Sequence, residues 1–416
     1  MSFIIAAPAS GSGKTTLTLG LLRAISANVP VRGAKSGPDY IDPRFHEAAC
    51  GQPCLNLDAW AMSPARVQAL ASGPTPLIIE GAMGLFDGAP PDGKGATADL
   101  ARILDLPVIL VIDAGRMAGS VAPLAKGFIT HDSAVHIAGV ILNNVGSTRH
   151  EAMLRRALNG ITMLGSLPRS ADLQQPSRHL GLVQAQERPD LEHFLSRAAD
   201  LVTQHCDLPA LTQILKLMPT AAPAKQIAPP AQRIAIAQDT AFAFSYPHLL
   251  ADWHSAGAEL SFFSPLANNA PAKDAEFIYL PGGYPELYAG QLAANTTFLK
   301  GLRDTCATIY GECGGYMTLG EALTDANGVT HQMAGLLPLH TSFAQRKLHL
   351  GYRDVQATAG PLKGRWKAHE FHYATTVSAI GMPLFAAQDA EGTALPDLGL
   401  IRDNVSGSFV HLIDRA

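Results

Sequence analysis

The fold of the first half of the chain is decided by the segment APASGSGKTT at residues 7–16. The segment follows a short apolar run at 3–7 and precedes a helical pattern at 17–27, which together predict a strand, a loop and a helix. A loop rich in glycine and serine lets backbone N–H groups converge on phosphate oxygens, and the N-terminus of the next helix favours negative charge. We therefore predict a nucleotide phosphate site here. Its residues are Ser10, Gly11, Ser12, Gly13, Lys14, Thr15 and Thr16.

Individual positions of this loop refine the prediction. Lys14 is expected to reach the outer phosphates, and the Thr15 hydroxyl to bind Mg²⁺. Pro8 replaces the first glycine of the usual eight-residue pattern, but the strand–loop–helix context compensates for it. Ala9 stands where the dimerising ATPases of cell-division positioning and plasmid partition carry a signature lysine, so the sequence favours a metabolic enzyme over that class.

Further apolar runs of strand length follow along the first half, with room between them for crossover helices. This alternation predicts a doubly wound α/β domain with a mostly parallel sheet. The later predicted strands cover 77–80, 108–113, 137–142 and 161–167.

Two acidic loops follow strand ends in this domain, KSGPDYIDP at 35–43 and EGAMGLFDG at 80–88. Transfer of a phosphoryl group to a carboxylate needs Mg²⁺ and fixed carboxylates to hold it. Asp39 and Glu80 are the predicted metal ligands. A single Asp in such a loop usually serves the turn itself, but four carboxylates in two loops at strand ends favour a site.

Base-contacting groups commonly lie after later strands of such sheets. We predict that Asn143, Pro168 and Arg169 contribute to nucleotide binding, with simple turn or capping roles as the alternative.

The composition of the 416-residue chain bounds its class. Its length predicts two domains, and 47% hydrophobic with 16% charged residues suits buried cores, not a disordered or nucleic-acid-coating protein. A net charge of -4 gives no support for a nucleic-acid partner. The sequence has no apolar run of membrane-spanning length and no basic leader, so we expect neither a membrane partner nor a signal peptide. Five scattered cysteines fit a reducing cytoplasm, and Cys50 and Cys54 are interpreted as structural.

The sequence predicts a boundary after the first domain. Residues 1–190 form the predicted nucleotide domain, 191–230 a helical segment with an Ala/Pro-rich linker at 219–230, and 231–416 a second open α/β domain. Predicted strands of the second domain lie at 233–237, 259–263, 277–280 and 307–310.

A cysteine turn marks the second domain, at GECGGY, residues 311–316. A nucleophile between glycines on a tight strand-to-helix turn is held exposed, and the helix N-terminus favours its thiolate. We predict that Cys313 is this nucleophile and that the backbone N–H groups of Gly314 and Gly283 form an oxyanion hole. A buried structural cysteine is the alternative.

A thiolate nucleophile needs a base, and His411, in SFVHL at 408–412, is the predicted one. His369 and His372 are the competing candidates. The alternative that His411 is only a core histidine, with its hydrogen bonds made and no catalytic role, stays open.

Several motifs together resemble a known family. They are GPDYIDP at 37–43, EGAMGLFDG at 80–88, LPGGYPE at 280–286, GECGGYM at 311–317 and HEFHY at 369–373. In order and spacing, over nearly the whole chain, they resemble the cobyrinic acid and hydrogenobyrinic acid a,c-diamide synthases of cobalamin biosynthesis.

The resemblance implies an N-terminal P-loop domain similar to dethiobiotin synthetase and a C-terminal class I glutamine amidotransferase domain. It implies ATP- and Mg²⁺-dependent amidation of the a and c acetate groups of a corrinoid through acyl phosphates, with ammonia drawn from glutamine. By the match, Asp42 and Asp87 belong to the site where the substrate carboxylate meets ATP, Cys313 is the glutaminase nucleophile and His411 its base. The wider class carries an orienting Glu two residues after the base, but here that residue is Ile413, so the imidazole is oriented otherwise or the glutaminase works as a Cys–His dyad.

Alternatives stay open at this point. They are a nickel-sirohydrochlorin a,c-diamide synthase, a cobyric acid synthase, or a regulatory P-loop ATPase with an inert glutaminase-like domain. The metal of the tetrapyrrole is not readable from the residues. A homodimer is suggested by the family alone.

Overall fold

The computed structural model describes residues 2–170, 173, 177–178, 181–215 and 217–416. The chain divides into two compact units, Met1–Lys225 and Gln226–Ala416. This division falls inside the Ala/Pro-rich stretch predicted as the linker. The helical segment that begins at residue 191, which the sequence interpretation grouped with that linker, lies in the first unit.

Nine strands and eight α-helices are described in the first unit, with a short 3-10 helix at Ala185–Glu187. The strands are β1 (Phe3–Ala6), β2 (Arg32–Ser36), β3 (Leu55–Leu57), β4 (Leu77–Glu80), β5 (Val108–Asp113), β6 (Ile137–Val145), β7 (Met163–Pro168), β8 (Ser177–Arg178) and β9 (Gly181–Leu182). The helices are α1 (Lys14–Ser26), α2 (Asp42–Cys50), α3 (Pro64–Ala71), α4 (Thr97–Leu104), α5 (Val121–His131), α6 (Thr148–Ala157), α7 (Leu191–His205) and α8 (Leu208–Ile214).

Seven of these strands form one parallel sheet in the order β3-β2-β4-β1-β5-β6-β7. Its central strands are continuous apolar runs, as expected of a sheet buried on both faces. The parallel α/β sheet predicted from the sequence is therefore confirmed. Because β1 lies in the middle, between β4 and β5, the loop after β1 opens beside the carboxyl ends of its neighbours, where ligands of such sheets bind.

Helix α7 packs closely against α1. A Cβ atom added to Gly20 would lie 2.6 Å from the carbonyl oxygen of Ala198, a distance that no real side chain tolerates. This close approach explains why residues 191–205 belong to the first unit.

The second unit has fifteen strands and four α-helices, with a 3-10 helix at Pro285–Leu287. The strands are β10 (Arg233–Ala237), β11 (Glu259–Phe263), β12 (Phe277–Leu280), β13 (Thr308–Glu312), β14 (Ala322–Thr324), β15 (Thr330–Gln332), β16 (Leu339–Ser342), β17 (His349–Ala357), β18 (Gly364–His372), β19 (Thr375–Ala379), β20 (Phe385–Gln388), β21 (Ala394–Leu398), β22 (Leu400–Arg402), β23 (Val405–Ser408) and β24 (Val410–Arg415). The helices are α9 (Pro247–Ser255), α10 (Ala289–Ala294), α11 (Thr296–Asp304) and α12 (Gly314–Leu319).

Three sheets make up the second unit. The predicted open sheet has the order β11-β10-β12-β13-β23-β22 and is parallel except for its edge strand β22. Two further sheets, β15-β14-β16-β19 and β21-β20-β17-β18-β24, were not predicted. The second of these is antiparallel throughout and carries the segments 369–373 and 408–412 close to its β18–β24 pair.

Among the described residues, no helix is both long enough and apolar enough to cross a lipid bilayer.

Candidate functional site

The predicted phosphate loop connects β1 to α1. Gly13 has a φ of +88°, and a Cβ atom there would lie 2.1 Å from Nδ2 of Asn143, so a side chain is excluded on both grounds. The same Asn143 amide donates a hydrogen bond to the carbonyl oxygen of Ser12 at 3.0 Å. Asn143, at the carboxyl end of β6, thus holds the loop in place.

A cavity of about 1180 Å³ opens at this loop. Most of the predicted nucleotide-binding residues line this cavity, and so does Lys35. The predicted residues in its wall are Ser10, Gly11, Gly13, Lys14, Thr15, Thr16, Glu80, Asn143, Pro168 and Arg169. Ser12, Asp39, Asp42 and Asp87 are not in that wall, and the Ser12 hydroxyl donates to the carbonyl oxygen of Ala9 at 2.9 Å.

The centre of this site is the buried carboxylate of Glu80. Its Oε1 accepts hydrogen bonds from the Thr15 hydroxyl at 2.6 Å and from the Lys35 ammonium at 2.8 Å. Its Oε2 lies 2.7 Å from Nε2 of His46. Lys35 also forms an ion pair with Asp42, the first residue of α2.

Asp39 shapes the loop that leads into α2. Its Oδ1 accepts backbone N–H bonds from Ile41 at 2.7 Å and from Asp42 at 3.0 Å. The side-chain amide of Asn56, on β3, donates to the carbonyl oxygen of Asp39 at 2.7 Å. Asp39 is therefore fixed close to the Lys35–Asp42 pair.

The charges of this cluster depend on one another. Burial opposes the charge of Lys35, but the carboxylates of Asp42, Glu80 and Asp39 outweigh it and raise the lysine pKa. Burial would raise the pKa of Glu80, but Lys35 and His46 hold that pKa well below its usual range. Burial and the neighbouring Asp39 raise the pKa of Asp42 in spite of Lys35.

The donor set of this cluster fits a magnesium ion. Mg²⁺ prefers oxygen ligands and in nucleotide sites binds one or two carboxylates together with phosphate and water. The Thr15 hydroxyl and the Glu80 carboxylate are already in contact, and Asp39 lies in the adjoining loop. The three residues predicted as metal ligands therefore offer suitable chemistry.

Asp87 lies in the second acidic loop, at 80–88, and Lys14 contacts that loop. The backbone N–H of Gly84 donates to Oδ2 of Asp87 at 3.0 Å, so this carboxylate closes the turn at 84–87. The Lys14 ammonium donates to the carbonyl oxygen of Met83 at 2.6 Å. Burial lowers the pKa of Lys14, while Glu80, Asp42 and Asp87 are close enough to oppose that effect.

The second site is built around Cys313, between β13 and α12. Cys313 has φ +44° and ψ −99°, a conformation that costs energy for any residue with a side chain. Its backbone N–H donates to the carbonyl oxygen of Ser408 at 2.8 Å, which fixes the turn against the end of β23. A strained strand-to-helix turn of this kind is typical of an activated nucleophile.

The loop 281–283 lies against this turn. A Cβ atom on Gly314 would lie 3.0 Å from the backbone nitrogen of Gly283, and one on Gly282 would lie 2.2 Å from Cε1 of His411. The backbone N–H of Gly314 favours the ionised Cys313 sulfur and opposes the effect of burial on its pKa. The structure thus brings together Cys313, Gly314, Gly283 and His411.

The three candidate histidines have different surroundings. His411 on β24 lies directly opposite His369 on β18. Burial lowers the pKa of His411 to about 3, and the neighbouring His369 and His372 lower it further. Burial also lowers the pKa of His369 to about 3, with a further contribution from Arg353. His372 instead stacks on Phe409 at 4.0 Å and bonds Oε1 of Glu370 at 3.0 Å. His411 is the one that contacts the glycine loop.

The thiol of Cys313 is kept neutral by its surroundings. Burial raises its pKa, and the carboxylates of Glu286, Glu370 and Glu312 raise it further. Since the pKa of His411 is lowered to about 3, the free protein holds a neutral thiol and a neutral imidazole at pH 7.

Three charged or titratable residues of these sites were missed by the sequence interpretation: Lys35, His46 and Glu312. Lys35 and Glu312 stand inside the quoted motifs, and each is a charged residue near the end of a buried strand. This position was the available signal. His46 lies inside α2 and gave none, because its contact with Glu80 joins residues 34 positions apart.

Comparison with known proteins bears on both units. Residues 3–183 match a CobQ/CobB/MinD/ParA nucleotide binding domain, and residues 233–415 match a CobB/CobQ-like glutamine amidotransferase domain. A protein of Brucella anthropi named hydrogenobyrinate a,c-diamide synthase is 54% identical over 99% of this chain and 98% of its own. The protein of the same name from Brucella suis is 55% identical over 99% of this chain and 98% of its own. The one from Rhodobacter capsulatus is 50% identical over 98% of this chain and 98% of its own. The chain belongs to the hydrogenobyrinate a,c-diamide synthase family of glutamine-dependent, amide-forming enzymes.

Proposed function

We propose that this protein converts the a and c acetate carboxylates of hydrogenobyrinic acid to amides, using ATP and glutamine. The observation that carries the proposal is the similarity of the whole chain, at 50–55% identity, to enzymes of that name. The synthetase reaction is assigned to Met1–Lys225 and the glutaminase reaction to Gln226–Ala416.

In the glutaminase reaction, the sulfur of Cys313 attacks the side-chain amide carbon of glutamine. His411 takes the thiol proton and gives it to the departing ammonia. Water then hydrolyses the thioester to glutamate. The backbone N–H groups of Gly314 and Gly283 bind the oxyanion that forms at each step, which their proximity supports.

In the synthetase reaction, the loop at 10–16 binds the ATP phosphates, and Lys14 of this loop pairs with the outer ones. Asn143, Pro168 and Arg169 contact the rest of the nucleotide. Thr15, Asp39 and Glu80 would hold Mg²⁺, which neutralises charge on the transferred phosphoryl group when it is bound.

The substrate carboxylate attacks the γ-phosphorus of ATP, and ammonia displaces phosphate from the resulting acyl phosphate. Activation is needed because a carboxylate is a poor electrophile. We assign Asp42 and Asp87 to the place where the two substrates meet. Lys35 adds a cation there that can pair with the incoming carboxylate in exchange for Asp42.

A mass-spectrometric assay tests the proposal. The purified chain is incubated with ATP, Mg²⁺ and glutamine, and with hydrogenobyrinic acid, cobyrinic acid or nickel-sirohydrochlorin in parallel. We expect two successive conversions of carboxyl to amide on hydrogenobyrinic acid. Preference for another tetrapyrrole, or more than two amidations, would correct the substrate. ATP hydrolysis without any amide would contradict the proposal and favour a regulatory ATPase.

A cytoplasmic location and small-molecule partners only, without nucleic acid or membrane, stay predictions of the sequence, as does a homodimer.

A further inference from the structure

Glu312 is the last residue of β13 and directly precedes Cys313. Its Oε2 lies 3.7 Å from Nδ1 of His411, and the two side chains are 1% and 0% exposed. Resting on the glutaminase function proposed above, we propose that Glu312 is the positioning residue of His411: its carboxyl group accepts a hydrogen bond from Nδ1–H and so aims Nε2 at Cys313.

The need for such a residue follows from β24. Related glutaminases carry a glutamate two residues after the base, but this chain has the fully buried Ile413 there. An aliphatic side chain cannot accept a hydrogen bond from an imidazole N–H. Orientation by a carboxylate must therefore come from another strand, and Glu312 reaches the ring from β13.

The carboxyl group of Glu312 is itself held in place. Its Oε1 accepts the backbone N–H of Leu412 at 3.1 Å, and its Oε2 accepts the Tyr279 hydroxyl at 2.6 Å. The first bond ties Glu312 to the residue that follows His411. Since Glu312 also precedes Cys313, it links the nucleophile turn to the strand of the base.

The chemistry requires no net proton transfer to Glu312. When glutamine is attacked, the Cys313 thiol proton moves to Nε2 of His411, and the imidazolium keeps its Nδ1 proton, which is donated to Glu312. The 3.7 Å separation must shorten to about 2.9 Å for a good hydrogen bond. Catalytic hydrogen bonds are often long in a free enzyme and tighten in the substrate complex.

Other groups face this pair. Tyr279 and Tyr310 face Glu312. His369 and His372 lower the pKa of His411, whereas the backbone of Phe244 and the carboxylate of Glu370 raise it. Burial raises the pKa of Glu312 to about 7, although the hydrogen bonds that Tyr279 and Leu412 donate to it have the opposite effect. Ionisation of Glu312 near neutral pH then adds an inflection to the pH profile of the glutamine reaction.

The first test compares Glu312→Gln with the wild type in the full chain. Glutamine preserves the shape of the side chain and removes its charge. We expect the glutamine-dependent rate to fall by about 100-fold, the ammonia-dependent rate to stay unchanged and the inflection near pH 7 to disappear. Glu321→Gln, an exposed carboxylate of the same unit, is the control and should keep both rates. An unchanged glutamine-dependent rate and pH profile in Glu312→Gln would overturn the proposal.

A second measurement uses the wild-type chain, so it does not depend on whether a Glu312 variant folds. With ¹⁵N-histidine labelling, the Nδ1 proton of His411 should resonate at low field, as protons shared with a carboxyl group do. The resonance is assigned by its loss in His411→Gln. If Nδ1 of His411 carries no proton, Glu312 does not position it. A wild-type protein without glutaminase activity would contradict the proposed function. The Nδ1 resonance would still show whether His411 donates a hydrogen bond to Glu312, so the two failures can be told apart.

Discussion

The Lys35 ammonium lies 2.8 Å from Oε1 of Glu80, and the two side chains are only 6% and 1% exposed. The same ammonium pairs with Asp42, whose side chain is 9% exposed. One buried cation therefore compensates two buried carboxylates, one at the start of α2 and one at the carboxyl end of β4. Removing it would leave both of them without a cationic partner of comparable strength.

We predict that Lys35→Gln destabilises the first unit by about 3–5 kcal/mol, the usual cost of leaving one partner of a buried ion pair uncompensated. Urea unfolding followed by the fluorescence of Trp60, in a background without the other two tryptophans, measures this loss. The amidation rate should fall with glutamine and with ammonia alike, since both need the synthetase site.

Arg155→Gln is the matched control for Lys35. It breaks the exposed pair between Arg155 and Glu151, whose side chains are 52% and 31% exposed. Exposed helix pairs of this kind contribute only about 0.3–0.5 kcal/mol. If Lys35→Gln were no more destabilising than this control, the carboxylates of Asp42 and Glu80 would not depend on Lys35.

Replacement of the nucleophile separates the two reactions. We predict that Cys313→Ala abolishes amidation with glutamine and leaves the ammonia-dependent rate within about twofold of the wild type, because only the first step of nitrogen transfer needs the thiol. Cys306→Ala, which removes an exposed thiol of the same unit, should keep both rates. Loss of both activities in a folded Cys313→Ala protein would contradict the assignment.

Much of the architecture was readable from periodicity. The strands at 77–80, 108–113, 233–237, 259–263 and 277–280 agree with the structure residue for residue. Most of them are short, buried apolar runs, as expected of strands in a parallel sheet. The exception is the edge strand at 259–263, which is mostly exposed. The sheet built from β17, β18, β20, β21 and β24 was not predicted, because β17, β18 and β20 mix buried and exposed residues, β21 is exposed or half-buried throughout, and all the strands depend on long-range pairing.

In both sites the sequence predicted one part and missed another. The phosphate loop and the cysteine turn are contiguous segments, so their residues could be proposed directly from local motifs. The partners that set charge and orientation come from elsewhere: Glu312 reaches His411 across 99 positions, and His46 reaches Glu80 across 34. Contacts of this kind depend on strand order, which local patterns do not contain.

The neutral state of the Cys313 thiol is open to a direct test. Because burial and three carboxylates raise its pKa, alkylation by iodoacetamide should keep rising by about tenfold per pH unit well above pH 9, the ordinary range of a cysteine. Peptide mass mapping follows Cys313 and the exposed Cys306 in the same sample. A rate at Cys313 that levels off near neutral pH would instead indicate a preformed thiolate–imidazolium pair.

Glu370 contributes to the pH dependence of stability in the second unit. Burial disfavours its charge, but His372 and Arg353 outweigh burial and lower its pKa from 4.5 to about 2. The Arg353 guanidinium contacts it at 2.8 Å. Because the folded-state pKa is the lower one, the ionised carboxylate stabilises the fold above about pH 4.5, and this contribution is lost as the pH falls toward 2.

We therefore predict that Glu370→Gln lowers the free energy of unfolding of the second unit by about 3 kcal/mol between pH 5 and 8, and that the difference from the wild type narrows below about pH 4.5. Urea unfolding in a Trp60→Phe background isolates Trp253 and Trp366, which both lie in this unit. Asp304→Asn, which breaks the exposed pair with Lys300, is the control and should change stability little at any pH. A difference between Glu370→Gln and the wild type that stayed constant down to pH 4 would show that the ionisation of Glu370 does not contribute to folding, and that the loss comes from the altered hydrogen bonds to Arg353 and His372.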